Sequence, residues 1–553
     1  MVPLRKVVPH RKKLGILAVG AAAALILSAC NSHAPAAGGN APAKNSITVA
    51  VAATPTSYDL DGSFAASNEN YTMWSQTQIG LLNYKTTTKN GVVITDFTHF
   101  EGALADKDNP YTVSDNGQTY TFHLRRGVLS QAGNPFTAED VRWSVERKLS
   151  DHGVGLTQIK NYFNSMDQVQ VIDDYTIAFH LHNAGNDNVF LPIFTGQTGR
   201  IYDKTELLKH ATKDDPWAVK WATQNTGWGY GPYVVDSVTQ GQQLVLKANP
   251  NYPVGKPQFT SITMKVVPDS GTRAQLVSSG NVDVAEALTP SDLNSVKDSP
   301  KVQEPSVDHP IEFDDLSLVQ NKAPFDDKLV RQAFNYAIPY DKIISQVYEG
   351  FAVTSPGWFT PTMGVPGLST QPAYTYDVNK AKELLAKAGK TSVDVTLSVS
   401  NAVPDIVDTA IMIGSYAKAA GFNVTVQQLN PADFATGRLK QTFQSLLVAN
   451  RVQVQVPSFV NNFFLPGDPS NSGAFVPNDQ WKSLMASAIA AGPGTSDQAA
   501  PQWQKVNDYI NQDASQLPIL YKQPNQAYSK ELANLTYRYD STIDYSILKT
   551  AGN

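Results

Sequence analysis

Cysteine is all but absent. One residue in 553, Cys30, carries a thiol, and the long body that follows it has none. Disulfide frameworks and cysteine-ligated zinc sites are thereby excluded, and a body without thiols forms no wrong pairings in an oxidising compartment. Long apolar runs are also scarce. No stretch beyond Leu14–Leu27 approaches a membrane span, and that one is short for the purpose. Missing too are His-Glu-x-x-His, Gly-x-Ser-x-Gly and the phosphate-cradling Gly-x-x-x-x-Gly-Lys-Ser/Thr, so the common metalloprotease, serine-hydrolase and nucleotide-hydrolase signatures are out. His180 and His182 share a strand face, but the apolar face of that strand is Tyr175, Ile177, Phe179 and Leu181. The imidazoles are therefore expected to face solvent, and neither a metal nor a cofactor is expected. No pair of carboxylates stands out as a glycosidase pair, whose separation is in any case a three-dimensional quantity.

What is present begins with export. Arg5, Lys6, Arg11, Lys12 and Lys13 precede the Leu14–Leu27 run, which ends in Leu27-Ser28-Ala29-Cys30. A basic start, a short apolar run and small residues before the cut form a secretory signal. Leucine, two small residues and cysteine resemble the bacterial lipobox, in which the thiol takes a diacylglyceryl group and the chain is cut before it. The resemblance implies a mature protein that begins at Cys30 and is lipid-anchored to the bacterial cell membrane on its extracytoplasmic side. The alternative is an ordinary signal peptide with a cysteine near its cleavage site. Residues 31 to 45 are rich in Ala, Pro, Gly and Asn without apolar periodicity and read as a tether. Removing residues 1 to 29 takes 5 of the 44 Lys and Arg and none of the 49 Asp and Glu, leaving 39 against 49, a formal charge of −10. That balance speaks against a nucleic-acid partner.

At 60.0 kDa the chain exceeds what one hydrophobic core serves, so at least two domains are expected. Ile47, Val49 and Val51 alternate as a strand. Asp115-Asn116-Gly117 supplies the positive-φ residues of a tight turn, followed by a strand with Tyr120, Phe122 and Leu124 on one face. Thr137 caps a helix whose buried face is Val141, Val145 and Leu149. Two further helices are predicted over Asp326–Ala337 and Val378–Ala388. A strand through Val393, Val395 and Leu397, a helix of Ile406, Ala410, Ile413 and Ala417 ending at Gly421, and a strand through Phe422, Val424 and Val426 have the size of a parallel βαβ unit. The fold class is α/β with an added antiparallel portion.

Four blocks, in order, resemble the peptide/nickel-type solute-binding proteins of ABC importers. They are Tyr120-Thr-Phe-His-Leu-Arg-Arg-Gly127 continuing through Asn134-Pro-Phe-Thr-Ala-Glu-Asp-Val141 and Ser144-Val-Glu-Arg147; Gly229-Tyr-Gly-Pro-Tyr233 with Leu246-Lys-Ala-Asn-Pro-Asn-Tyr252; Val267-Pro-Asp-Ser-Gly-Thr-Arg273 with Ser279-Gly-Asn-Val-Asp-Val-Ala285; and Pro324-Phe-Asp-Asp-Lys-Leu-Val-Arg-Gln-Ala-Phe-Asn-Tyr-Ala-Ile338. The resemblance implies a periplasmic-binding-protein-like fold, two α/β lobes joined by a hinge and an inserted extra domain. By that analogy lobe I takes 46–59, 200–285 and 517–553, the inserted domain 60–199, and lobe II 286–516. Chain crossings near Ala285–Leu288 and Leu517–Tyr521 would form the hinge. Arg125, Asp140, Arg147 and Arg331, although inside the motifs, are read as structural.

For ligand contacts the resemblance points to a second-lobe segment where peptide-binding members carry an aspartate for the peptide's α-amino group. The matching stretch, Val448–Ser458, holds no acid. Asn450, Arg451, Gln453 and Gln455 stand there instead, either as ligand contacts or as the polar face of an edge strand. Trp74, Trp228 and Trp358 are the aromatic candidates, with packing as their other reading. A neutral polar or N-blocked solute is therefore expected to bind better than a free peptide, unless an acid elsewhere, such as Asp468, substitutes. The function implied is a monomeric receptor that passes a peptide-like or other small polar solute to a permease and its ATPases. The competing readings are an exported hydrolase of peptides or glycans and a sensor lipoprotein.

Overall fold

A computed structural model describes residues 44–552 apart from 62–67, 90–91, 151–158, 160–161, 163–164, 183–189, 306–309, 311, 453, 467–469 and 539–541. The lipobox at Cys30 and most of the tether lie outside the described residues, as do Gln453 and Asp468.

Two large sheets organise the chain. The first runs, in spatial order, Val302–Gln303, Ala527–Ser529, Val284–Ala285, Ser46–Val51, Ser261–Val266, Gln243–Ala248 and Tyr233–Thr239. Its central strand buries Ile47, Val49 and Val51 on one face and pairs in parallel with Ser261–Val266 and Val284–Ala285. The second sheet runs Ala352–Thr354, Gln516–Lys522, Glu312–Leu318, Ser445–Arg451, Val393–Ser400 and Phe422–Leu429. Its Val393–Ser400 and Phe422–Leu429 pair in parallel along their whole length, with the helix Pro404–Ala417 between them. Ile406, Ala410, Ile413 and Ala417 are all buried, and each isoleucine contributes about 1.5–3 kcal/mol by leaving water. The helix stops at Gly421, whose φ is 98°. A Cβ there would stand 2.8 Å from the carbonyl oxygen of Thr391, so the turn requires glycine.

Between the first-sheet strands of residues 51 and 233 lie a two-stranded hairpin, Leu82–Lys89 with Val92–Gly102, and a four-stranded antiparallel sheet of Tyr111–Ser114, Thr119–His123, Thr176–His180 and Val169–Asp173. Asp115, Asn116 and Gly117 take φ of 52°, 54° and 88° and make the turn. The helix Ala138–Leu149 packs on this sheet, its start held by the Asp140 carboxylate, which accepts from the Thr137 N–H at 2.8 Å. Arg147 of this helix reaches the first lobe, pairing with Asp59 and, at 2.8 Å, with Asp61, all three wholly buried. Arg125 donates to the carbonyls of Gly102, Ala105 and Pro253, and Arg331 pairs with Asp513 at 3.0 Å.

The chain changes sheet later than expected at both crossings. Val302–Gln303 still belongs to the first sheet, and Glu312–Leu318 is the first strand of the second. On the return, Gln516–Lys522 pairs with Glu312–Leu318, and only Ala527–Ser529 rejoins the first sheet. Residues 517–522 thus belong with the second lobe, and Gln523–Gln526 is the return crossing. The segment Ala285–Leu288 runs beside it, Leu288 N–H donating to the Asn525 carbonyl at 2.8 Å. The helix Asn68–Thr77, expected in the inserted domain, packs Met73 and Trp74 into the first sheet's core with Val49 and Tyr233. A strand buried on both faces does not advertise its partner, which is why pattern placed the elements better than their allegiance.

Candidate binding cavity

The crossings and the two lobes enclose a cavity of about 1250 Å³. The first lobe contributes Glu69 and Thr72 from the start of Asn68–Thr77, the segment Glu286–Ser291, and Thr536–Arg538. The second contributes Tyr348–Glu349, Phe351, Arg451 and one side of the helix Pro404–Ala417 (Asp405, Asp408, Ile411, Met412). Lys522 and the crossing Gln523–Gln526 join the two, and the hairpin adds Val93–Thr98. Phe97, Tyr348, Phe351, Tyr416 and Tyr537 supply rings, and Ile411 stands half exposed on the wall.

Lys522 ends the strand that leads into the crossing. Its Nζ lies 3.0 Å from Glu312, 3.5 Å from Asp314 and 3.6 Å from Asp405. Tyr348 OH stands 2.6 Å from Asp314 Oδ2 and 3.1 Å from Asp405 Oδ2, donating its one proton to either. Burial pushes the Asp314 carboxyl up to about 7, with Lys522 pulling against it. Burial also opposes charge on Glu312, but Lys522 and Arg451 outweigh it and hold that carboxyl below its usual range. Burial likewise works against charge on the Lys522 ammonium, and the three carboxylates overcome it and raise its pKa. The cluster therefore keeps a charged lysine where the chain passes between lobes.

Of the sequence-predicted contacts, Arg451 alone among the described ones lines the cavity. Its guanidinium lies 3.6 Å from Glu312 and over the ring of Tyr71 at 5.4 Å, a contact between the second lobe and the first. Asn450 is turned away, its amide 3.4 Å from Asp315 Oδ2 and its oxygen accepting from the Arg451 N–H. Gln455 is buried one layer behind the wall, accepting from Thr362, which does line the cavity, at 2.8 Å. Trp74, Trp228 and Trp358 sit in the core. Each ring is covered, and each indole N–H is taken by a backbone carbonyl: Ser57 at 3.1 Å, Asn225 at 2.8 Å and Gln516 at 2.8 Å. They offer a solute neither a free donor nor a free face. His180 lies 3.1 Å from Thr119 Oγ1 and 3.3 Å from Gln170 Oε1, and among the described residues no group of His, Cys, Asp and Glu is arranged to hold a metal.

The acids missing from Val448–Ser458 come from elsewhere. Glu69, Asp96, Glu286, Glu312, Glu349, Asp405 and Asp408 line the cavity against Arg451, Lys522 and Arg538, seven acids to three bases. Lys522 had a sequence signal: it follows six buried residues of a strand and precedes Gln523-Pro524-Asn525. Glu286 and Asp405 had none, since they meet only when the sheets do.

The profile of the bacterial extracellular solute-binding proteins, family 5, matches residues 99–472. The chain is 26% identical over 500 residues, 89% of its length and 92% of the relative's, to the probable D,D-dipeptide-binding periplasmic protein DdpA of Escherichia coli (strain K12). Among solved structures it superposes with a TM-score of 0.75 and 22% identity on the periplasmic binding protein DppA from Helicobacter pylori in complex with the peptide STSA, covering 92% of this chain and 98% of that one. The binding protein AgaA in complex with agropinic acid, from A.tumefacien R10, gives 0.76 and 20%, covering 92% and 99%. Among the described residues no helix is long and apolar enough to cross a membrane. With its profile matched over more than half its length and its two sheets joined by crossing strands around one large cavity, the chain belongs to the bacterial extracellular solute-binding proteins of family 5.

Proposed function

We propose that the protein is the lipid-anchored, monomeric receptor of an ABC importer, which captures a peptide-like or similarly sized polar solute between its lobes and hands it to a permease and its ATPases. The observation that carries this reading is the cavity itself. It draws walls from both lobes and is bounded by the strand crossing at Lys522–Gln526, so a solute touching both walls favours the closed arrangement. Its volume of about 1250 Å³ exceeds the roughly 300–1,000 Å³ of ordinary small-molecule pockets. That leaves room for a chain of a few residues with water around it. The names of similar proteins, among them a probable D,D-dipeptide-binding periplasmic protein and complexes with the peptide STSA and with agropinic acid, support a solute of this size range. Anchoring rests on Leu27-Ser28-Ala29-Cys30. The reading asks for no chemistry on the solute. Native mass spectrometry of the protein from its own cells tests it: a solute should co-purify and be recovered unchanged. Recovery of cleaved products after incubation would favour a hydrolase instead.

A further inference from the structure

Arg451 is tied to both lobes. It ends the strand Ser445–Arg451, with Glu312 directly opposite it on the neighbouring strand and Lys522 directly opposite Glu312 on the other side. The three charges therefore line up at one level of the second sheet, Arg451 at 3.6 Å and Lys522 at 3.0 Å from the shared carboxylate. The Arg451 N–H donates to the side-chain oxygen of Asn450 at 3.0 Å, so the residue is braced at its backbone as well as at its head. The guanidinium then reaches out of its own lobe and lies 5.4 Å from the centre of the Tyr71 ring.

Tyr71 is anchored in the first lobe. It sits on the helix Asn68–Thr77, its ring edge-on to Trp74 at 5.6 Å. Trp74 is wholly buried in the first sheet's core beside Met73 and gives its indole N–H to the Ser57 carbonyl. Glu69 and Thr72 of the same helix line the cavity, whereas Tyr71 does not. A cation over an aromatic face is held more strongly where water is excluded, and the Arg451 side chain is only 19% exposed. One partner moves with each lobe, so opening the cleft pulls the pair apart.

We infer that Arg451 and Tyr71 form a latch across the cleft, a positioning pair that raises the closed population of the receptor before a solute makes any contact. This rests on the receptor reading and adds to it what biases the hinge. Affinity for any solute is scaled by the fraction of protein already in the binding-competent form. The latch therefore strengthens every solute by one factor, whatever its chemistry.

The test uses the mature receptor stripped of solute, the variants Arg451→Met, Tyr71→Leu and Tyr71→Phe, and the double variant Arg451→Met/Tyr71→Leu. Glu312 keeps Lys522 at 3.0 Å in all of them, so none leaves that carboxylate unpaired. In small-angle scattering without solute, Arg451→Met and Tyr71→Leu should each show a larger radius of gyration than the wild type. Tyr71→Phe keeps the ring face and should match the wild type. Calorimetry with the solute recovered from the wild-type receptor of its own cells supplies the second readout. Arg451→Met and Tyr71→Leu should each weaken binding about three- to tenfold. The double variant should be no weaker than the weaker single one, because one contact is lost once. If Arg451 acts only by touching the solute, Tyr71→Leu binds like the wild type, and the latch is overturned. Equal radii of gyration in the stripped wild type and Tyr71→Leu, losses that multiply in the double variant, or a Tyr71→Phe protein as expanded as Tyr71→Leu overturn it too, and each leaves the receptor reading standing. Recovery of no solute from the wild type counts against the receptor reading, while the scattering of the stripped proteins still decides the latch.

Discussion

Replacing Lys522 by methionine removes the one cation that faces three carboxylates while keeping most of the side chain's length. The lysine side chain is 10% exposed, Asp314 is fully buried, and Asp405 and Glu312 are 22% and 29% exposed. Breaking a buried pair from one side typically costs about 3–5 kcal/mol. Two features reduce that here. Glu312 keeps Arg451 at 3.6 Å, and Asp314, whose carboxyl already sits up at about 7, takes a proton at little cost. The loss expected near pH 7.5 is therefore about 2–4 kcal/mol. The sign with pH follows from the direction of the shift. A carboxyl raised in the folded state contributes most below its unfolded value and loses that contribution as pH climbs through its folded value. Removing Lys522 raises Asp314 further and takes away the main cation that holds Glu312 below its usual range, so the deficit should grow from pH 5 to pH 8. Urea denaturation followed by tryptophan fluorescence at both ends of that range measures it. A Lys522→Met protein as stable as the wild type at pH 7.5, or one equally weakened at pH 5 and 8, would refute the network.

Three further outcomes follow from the same structure. Trp358→Phe should cost about 1–3 kcal/mol through the lost Gln516 hydrogen bond and a cavity beside Phe313 and Phe463, while solute affinity measured by calorimetry stays within about twofold; a loss of binding at unchanged stability would restore the ring to the site. Glu286→Gln should flatten part of the pH dependence, because the wild-type carboxyl, raised from 4.5 to about 7, costs stability as pH rises through 7; without solute the variant should be roughly 2–3 kcal/mol the more stable at pH 8.5, and equal denaturation midpoints there would contradict the burial argument. Cys30→Ser should leave the protein soluble or as an unprocessed precursor on cell fractionation, and mature-sized protein in the membrane pellet would dismiss the lipobox.

Local elements were legible because each is decided by neighbours in sequence. The alternation at Ile47, Val49 and Val51, the turn at Asp115–Gly117 and the Ile406–Ala417 stripe ending at Gly421 all appear where pattern put them. The site was less legible, for a physical reason. Its charged residues come from the far ends of the chain and from both sides of the crossing: Glu69, Glu286, Asp405, Arg451 and Lys522 meet only after the sheets assemble. Of the described residues in Val448–Ser458 only Arg451 reaches the cavity, and the acids arrive from other elements. The tryptophans misled for the opposite reason. A ring large enough to stack on a solute is also the ring that best fills a core, and here all three indole N–H groups go to backbone carbonyls.

A receptor of this build must close on its captured solute, and small-angle scattering on the stripped and reloaded protein measures that closure. Solute recovered from the purified receptor and added back should lower the radius of gyration and raise the melting temperature together, because only the closed native form gains its contacts with both walls. A solute that binds tightly and leaves the scattering profile unchanged would contradict a receptor built on two lobes and a hinge.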